Sequence, residues 1–467
     1  MSDIQQSDNI LENIVQNKRQ ELALRKQSVS VQKLQQGLCS STRSFYDALN
    51  SKQSDFILEC KKASPSKGLI RENFNLQEIL SVYKDYASAI SVLTDFTYFQ
   101  GSHRYLKEVS NTVTQPVLCK DFFIEPYQIF EARYHGADAI LLMLSVLDDS
   151  NYSELAAVAK ELNLDVLTEV HNSEEMQRAL ILDAKIIGIN NRNLKDLSID
   201  ISTTENLISE LSEQDKLGRL FISESGISYH HQVNRLTPYV NGFLVGSSIM
   251  SKSDIRKQCK KLIYGNTKIC GLTTEESAIA AFDSGAIYGG LIFHARSPRN
   301  VTLEQAIAIT ESAPLKYVGV FVNEPVEDIV QIANKLNLKV IQLHGDESTE
   351  IIKEIKQALP QCNIWKAVSI GSDIDKLVFD NNENIDKYLL DTFSHDSRGG
   401  SGKTFDWSII DDSNRDKIVL AGGLNINNIK RAQSLNTFAL DINSGVEDKP
   451  GDKSLKKIEA LFLKLRT

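Results

Sequence analysis

The sequence contains no CxxC pair, no HxxxH pair and no apolar run approaching the roughly 20 residues that cross a bilayer. Each absence removes a class of protein. Six scattered cysteines (Cys39, Cys60, Cys119, Cys259, Cys270 and Cys362) offer neither a zinc cluster nor a disulfide framework. Several sit inside apolar runs, where a thiol behaves as a small core residue, and a reducing, cytoplasmic setting is the expectation. Eight histidines without ligand spacing give no metal set, so no metal and no cofactor are expected. The opening MSDIQQSDNILENI has no basic segment leading into an apolar one, which argues against a secretory signal. A net charge of −9 speaks against a general nucleic-acid binder, and the missing apolar spans speak against a membrane partner.

What the 467 residues do contain is a regular alternation. ILENIVQNKRQELALRKQ reads as an amphipathic helix, and a second helical stretch covers Ser44 to Asn50. Apolar, β-branched runs then start at Asp55, Ala89, Pro116, Ala139, Asp165, Lys185, Leu220 and Gly242, with helix-period segments between them. The pattern restarts after KSDIRKQCKKLIYGN, with runs from Thr267, Tyr288, Lys316, Lys339, Ile364, Tyr388, Lys417 and Thr437. Strands apolar along their whole length, alternating with helices, predict a parallel sheet covered by helices. An open doubly wound sheet would alternate in the same way. Twice eight runs favour two closed barrels, and no G-x-G-x-x-G follows either first strand, against dinucleotide binding. The expected fold class is therefore α/β: two successive (β/α)8 TIM barrels in one chain, the first with extra N-terminal helices. The expected domains are 1–265 and 266–467, joined around Tyr264 to Asn266.

One short grammar is written twice. FISESG (Phe221 to Gly226) precedes GFLVGSS (Gly242 to Ser248), and IVLAGG (Ile418 to Gly423) precedes FALDINSG (Phe438 to Gly445). Both copies fall on the seventh and eighth strands of their set, where such barrels hold a substrate phosphate. Two phosphorylated substrates are implied.

Strand ends in the first set carry Glu59, Lys61, Lys120, Glu169, Asn190, Arg192, Glu224 and Ser225. One Lys or Glu at a strand end is ordinarily a solvated rim charge. Two lysines and three glutamates at the same end of one barrel shift each other's pKa values and suit acid and base work. ECKKASPSKG (Glu59 to Gly68), VLCKDF (Val117 to Phe122), LTEV (Leu167 to Val170), GINNRNL (Gly188 to Leu194), SESGI (Ser223 to Ile227) and LVGSS (Leu244 to Ser248) resemble indole-3-glycerol-phosphate synthase, from Asn9 to Met250. The resemblance implies conversion of carboxyphenylaminodeoxyribulose phosphate to an indole with loss of CO₂ and water. It implies Lys120 as the general acid at the ketone, and Lys61, Glu169 and Glu59 sharing the dehydration. Asn190 and Glu224 would orient the substrate, Arg192 and Ser225 would line the site, and Ser64, Gly226, Gly246 and Ser247 would hold phosphate. The N-terminal helix would lid the pocket.

In the second set KICGLT (Lys268 to Thr273) places Cys270 at a strand end, where a single cysteine is ordinarily core. With HARSPRNV (His294 to Val301), QLHGDE (Gln342 to Glu347), LLDTF (Leu389 to Phe393), RGGSGKTFDW (Arg398 to Trp407), AGGLN (Ala421 to Asn425) and DINSGVE (Asp441 to Glu447) it is similar to phosphoribosylanthranilate isomerase, over Thr267 to Arg466. That resemblance implies an Amadori rearrangement with Asp391 as acid and Cys270, as thiolate, as base. Arg299 would meet the anthranilate carboxylate. Gly400, Gly402, Gly423, Ser444 and Gly445 would surround phosphate, with His344 and Asp441 also on the substrate. The two reactions are consecutive steps toward tryptophan, in reverse order along the chain, so both grips would hold the phosphate of one molecule. Small phosphorylated substrates are the expected partners, and a monomer is the expected state. Other phosphosugar isomerases or lyases share the fold, and a scaffold with one dead barrel is a different class. The first would lack Lys120 or Cys270, and the second would show gaps in a polar ring.

Overall fold

The computed structural model describes residues 10–466, apart from residue 52 and residues 194–195, 371–378, 380–381 and 393–403. Gly400 and Gly402 lie outside the described residues. The chain divides into two compact units, Met1–Cys259 and Lys260–Thr467. The division falls within the helix Ile255–Tyr264, a few residues before the join expected from sequence.

In the first unit eight parallel strands close into a barrel in chain order. They are β1 (Asp55–Cys60), β2 (Ala89–Leu93), β3 (Val117–Lys120), β4 (Ala139–Met143), β5 (Asp165–Val170), β6 (Ile186–Asn190), β7 (Leu220–Glu224) and β8 (Gly242–Val245). β8 returns to β1 with Phe243 opposite Phe56. The second unit closes β9 (Thr267–Ile269), β10 (Tyr288–Ile292), β11 (Lys316–Phe321), β12 (Val340–Leu343), β13 (Asn363–Ile370), β14 (Lys387–Thr392), β15 (Ile418–Leu420) and β16 (Ala439–Ile442) in the same manner. Short antiparallel pairs at Ala63–Ser64 with Gly68–Leu69, and at Glu447–Lys449 with Asp452–Lys453, sit outside the barrels. Among the described residues no helix is long and apolar enough to cross a membrane.

Because side chains alternate along a strand, one parity of each strand fills the barrel. In the first unit Ile57, Leu118, Leu167, Ile222 and Leu244 belong to one buried cluster, plugged by Phe45 and Leu49 from the helix Phe45–Leu49. Two residues further along the same strands stand Glu59, Lys120, Glu169, Glu224 and Gly246. The polar ring is thus the next layer of the core, at the carboxyl ends of the strands. The second unit repeats the device. Val340, Leu389 and Ala439 are core, and Gln342, Asp391 and Asp441 are the layer above them.

The helix Ile10–Ser28 buries Ile14, Lys18 and Leu22 along one face. Lys18 is the unusual member. Its ammonium is fully buried, 2.7 Å from Asp95 Oδ2 and 2.8 Å from Asp121 Oδ1, on the loops after β2 and β3. Burial disfavours that ammonium, and the two aspartates outweigh it, holding Lys18 above the ordinary lysine range. Removing one partner of a buried ion cluster strands the others and costs about 3–5 kcal/mol. Lys18→Met is therefore expected to move the first unit's urea transition, followed by circular dichroism, to lower denaturant. An unmoved transition would show that Lys18 does not anchor the helix.

Candidate active sites

A cavity of about 260 Å³ opens at the carboxyl end of the first barrel. Its lining includes Glu59, Lys61, Ser64, Lys120, Arg192, Ser225, Gly226, Gly246 and Ser247, so nine sequence-expected residues converge there. Glu169, Asn190 and Glu224 stand behind this wall. Lys120 Nζ donates to Glu224 Oε2 at 2.6 Å and lies 3.7 Å from Glu59 Oε2, while Lys61 Nζ is 2.5 Å from Glu59 Oε1. Asn190 Nδ2 donates to Glu169 Oε1 at 3.1 Å.

The ring sorts its charges by environment. Burial lifts Glu224 to about 7, against the pull of Lys120. Glu59 is equally buried, yet Lys61 and Lys120 outweigh burial and hold it below the usual carboxylate range. Burial acts against the Lys120 ammonium, but Glu224 and Glu59 keep it above the ordinary lysine value. Lys120 is therefore held in its cationic form.

Sequence reasoning missed His171. Its Nε2 is 3.3 Å from Glu169 Oε1 and its Nδ1 3.1 Å from Glu175 Oε2. Burial opposes the imidazolium, and the two glutamates more than compensate, raising His171 to about 10. In return, His171 ahead of Lys120 and Asn190 overcomes the burial of Glu169 and lowers it to about 2. The available signal was parity, because His171, just past the end of β5, lies two residues beyond Glu169. The N-terminal helix was expected over the pocket, and only Phe99 and Phe122 of the apolar wall were missed. Ile10, Leu11 and Ile14 of the N-terminal helix, with Phe99 and Phe122, line the cavity and offer an aromatic ring a dry surface.

Beyond the last strand of each barrel the two units share a backbone device. Gly246 follows β8 at φ −125°, ψ −77° and starts the short helix Ser247–Met250. Asn443 follows β16 at φ −125°, ψ −90° and starts the 3₁₀ turn Ser444–Val446. Each exposes successive N–H groups beyond the last strand, a geometry that suits an anion. Gly246 is needed for space, since a Cβ there would run into the Glu59 carboxylate. Ser64 Oγ is buried at the cavity and has no hydrogen-bond partner among the described residues.

In the second unit Cys270 is nearly buried at the end of β9. Burial raises its thiol above the ordinary range and the neighbouring Lys268 only partly offsets this. Burial thus works against the thiolate expected at Cys270, and Lys268 works for it. Asp391 ends β14, and burial raises its carboxyl to about 6, in the range of a working general acid. Arg299 forms a two-pronged pair with Glu447, Nε to Oε1 at 2.8 Å and Nη2 to Oε2 at 2.7 Å. Two of its nitrogens are thus committed to Glu447. Asp441 Oδ2 accepts from Lys268 Nζ at 2.8 Å, while its Oδ1 is buried with no hydrogen-bond partner among the described residues. Gly423 lies at φ +64°, its carbonyl held by Asn425 and Asn428, and Gly445 packs against the Leu424 carbonyl. Ser444 heads the turn after β16. His344 follows β12, its backbone N–H donating to Phe321 O.

Two closed parallel barrels, each with acid and base groups over an apolar core and an anion-suited turn after the last strand, define a pair of TIM-barrel enzymes. The comparisons specify which pair. Residues 11–262 match the indole-3-glycerol phosphate synthase family, and residues 267–464 the N-(5'-phosphoribosyl)anthranilate isomerase family. The tryptophan biosynthesis protein TrpCF of Yersinia pestis is 49% identical over 465 residues, spanning 99% of this chain and 96% of that one. That of Haemophilus influenzae is 46% identical, spanning 98% and 97%. A solved phosphoribosyl anthranilate isomerase of Thermotoga maritima is 35% identical, covering 43% of this chain and 98% of its own, with a TM-score of 0.36. The chain belongs to the bifunctional TrpCF family, with a synthase N-terminal domain and an isomerase C-terminal domain that catalyse consecutive steps of tryptophan biosynthesis.

Proposed function

We propose that the inward layer above each apolar core carries the chemistry. In the isomerase domain Asp391 gives its proton to the ring oxygen as the C1–O bond breaks. Cys270, as thiolate, takes the proton from carbon two to form S–H, and the C–H electron pair forms the C1–C2 double bond of an enolamine that becomes the aminoketose. Arg299 meets the anthranilate carboxylate, and His344 borders the substrate. Gly423, Ser444 and Gly445 take the phosphate.

In the synthase domain Lys120 gives a proton to the ketone oxygen as the aromatic carbon bearing the carboxylate attacks. CO₂ leaves, and its bond electrons restore the aromatic ring. Glu59, Lys61 and Glu169 then share the dehydration, removing one proton and protonating the departing hydroxyl. Asn190 and Glu224 orient these groups. Arg192 and Ser225 line the pocket, and Ser64, Gly226, Gly246 and Ser247 take the phosphate. The observation that carries this reading is the half-buried Lys120, ion-paired to Glu224 and Glu59 in the wall of a cavity that also holds the anion-suited turn.

The functional domains are 1–265 and 266–467. Gly265 supports that boundary, since it ends the helix Ile255–Tyr264 with φ +72° and donates its N–H to Lys261 O. The protein acts as a cytoplasmic monomer, a reading consistent with six free cysteines, five of them buried.

The test is made on the full chain. Cys270→Ala is expected to lower isomerase kcat by about 10²–10⁴-fold, the range of a lost acid or base. Synthase turnover, followed by indole absorbance, should stay unchanged. Isomerase activity within tenfold of the parent would remove Cys270 from the mechanism.

A further inference from the structure

The mechanism above gives Lys268 nothing to do, yet the structure spends heavily on it. An isolated buried ammonium costs many kcal/mol unless every donor is met. Lys268 is fully buried on β9, two residues before Cys270, so both side chains face the barrel interior. Its Nζ donates to Cys270 Sγ at 3.2 Å, Gln342 Oε1 at 2.7 Å and Asp441 Oδ2 at 2.8 Å. An ammonium has three donors, and all three are used. The neighbouring strand makes room for the pair: a Cβ on Gly290 would lie 2.8 Å from both Cys270 Sγ and Lys268 Cε.

Several charged groups surround the sulfur among the described residues. Arg299 and Lys453 both pair with Glu447, and Lys268 pairs with Asp441. Asp391 approaches from β14, interacting with Lys268 and Asp441. Of the cations in this set, Lys268 alone donates a hydrogen bond to the sulfur. Gln342 and Asp441 hold the other two donors, so the third is aimed by the framework and not by the substrate.

We infer that Lys268 is a positioning residue of the isomerase, which fixes the direction of the Cys270 sulfur and lowers the cost of its anionic form. The inference rests on Cys270 being the base. When the thiolate takes the carbon-two proton, S–H forms and the C–H pair enters the C1–C2 bond. Lys268 keeps all its protons throughout. Its contribution is a hydrogen bond and a charge present before substrate arrives, which needs no reorganisation during the reaction.

The experiment compares pH profiles of isomerase kcat/KM for the full-length parent, Lys268→Met, Lys268→Arg and Cys270→Ala. The limb that rises as the thiol ionises is expected to move at least about one pH unit higher in Lys268→Met, where one unit corresponds to a tenfold loss near neutrality. Activity should recover as pH is raised, with synthase turnover untouched. Lys268→Arg keeps the charge and misplaces the donor, so its limb should stay near the parent's while kcat falls. An equal loss at every pH in Lys268→Met, or an unshifted limb, overturns the inference. So does loss of native Trp365 emission in both Lys268 variants, which would make the lysine structural. Cys270→Ala separates the two claims: residual activity there sinks the base assignment itself, whatever Lys268 does.

Discussion

Lys120→Met is expected to lower synthase kcat/KM by about 10²–10⁴-fold and to leave isomerase turnover at the parent level. The size follows from what Lys120 is placed to do. Its ammonium lies at the cavity with two buried carboxylates for company, 2.6 Å from Glu224 and 3.7 Å from Glu59. Ring closure puts negative charge on a ketone oxygen, and a fixed cation in a poorly solvated pocket stabilises that charge far better than water does. Methionine keeps the stem and removes the charge. It also releases Glu224, already at about 7 because burial disfavours its anion. Without Lys120 that carboxyl should take up a proton at neutral pH. Potentiometric comparison of the folded proteins would read this as proton uptake by the variant. A variant within tenfold of the parent would refute the assignment. A parallel fall in isomerase activity would instead indicate general unfolding.

The barrel layers were legible because a closed parallel barrel imposes a period of two on every strand. Runs such as DFILEC and DVLTEV carry a polar residue near their carboxyl ends, which singled out Glu59 and Glu169, whereas Asp391 came from the resemblance of LLDTF. What escaped depends on contacts between distant segments. Lys18 reads as one more basic residue on an amphipathic helix, and only Asp95 and Asp121, brought up from two loops, turn it inward. Arg299 reads as free for a substrate carboxylate until Glu447, far along the chain, takes two of its nitrogens. Lys268 hid differently. It sits in the apolar start of β9, where a lysine is ordinarily a strand-end charge, although parity with Cys270 pointed it inward. At Cys270 burial raises the thiol by more than the one paired lysine lowers it, a balance that no sequence pattern displays.

Asp391→Asn is expected to cut isomerase kcat by about 10²–10⁴-fold while making the second domain more stable at neutral pH. Both outcomes come from the same burial. In the folded chain the Asp391 carboxyl is raised from 3.8 to about 6, mainly by desolvation. The folded state therefore binds the proton more tightly than the unfolded state does. Below about pH 4 both states are protonated and nothing is lost. Between about pH 4 and 6 the unfolded chain ionises first, so stability falls as pH rises, and above 6 the full cost of about 2–3 kcal/mol persists. Asparagine removes the charge, and its side-chain oxygen can still accept the Thr392 N–H that Asp391 Oδ1 accepts at 2.8 Å. The gain should thus be present at pH 7 and vanish toward pH 4. Both tryptophans, Trp365 and Trp407, lie in the second unit, so urea unfolding followed by tryptophan emission reads that domain without interference. A variant less stable than the parent at pH 7, or a gain that does not change with pH, would show that Asp391 is not held as a strained, proton-ready acid. An acid poised near neutrality by burial makes its domain less stable for as long as it is ionised, and the variant would separate that cost from the rate it supports.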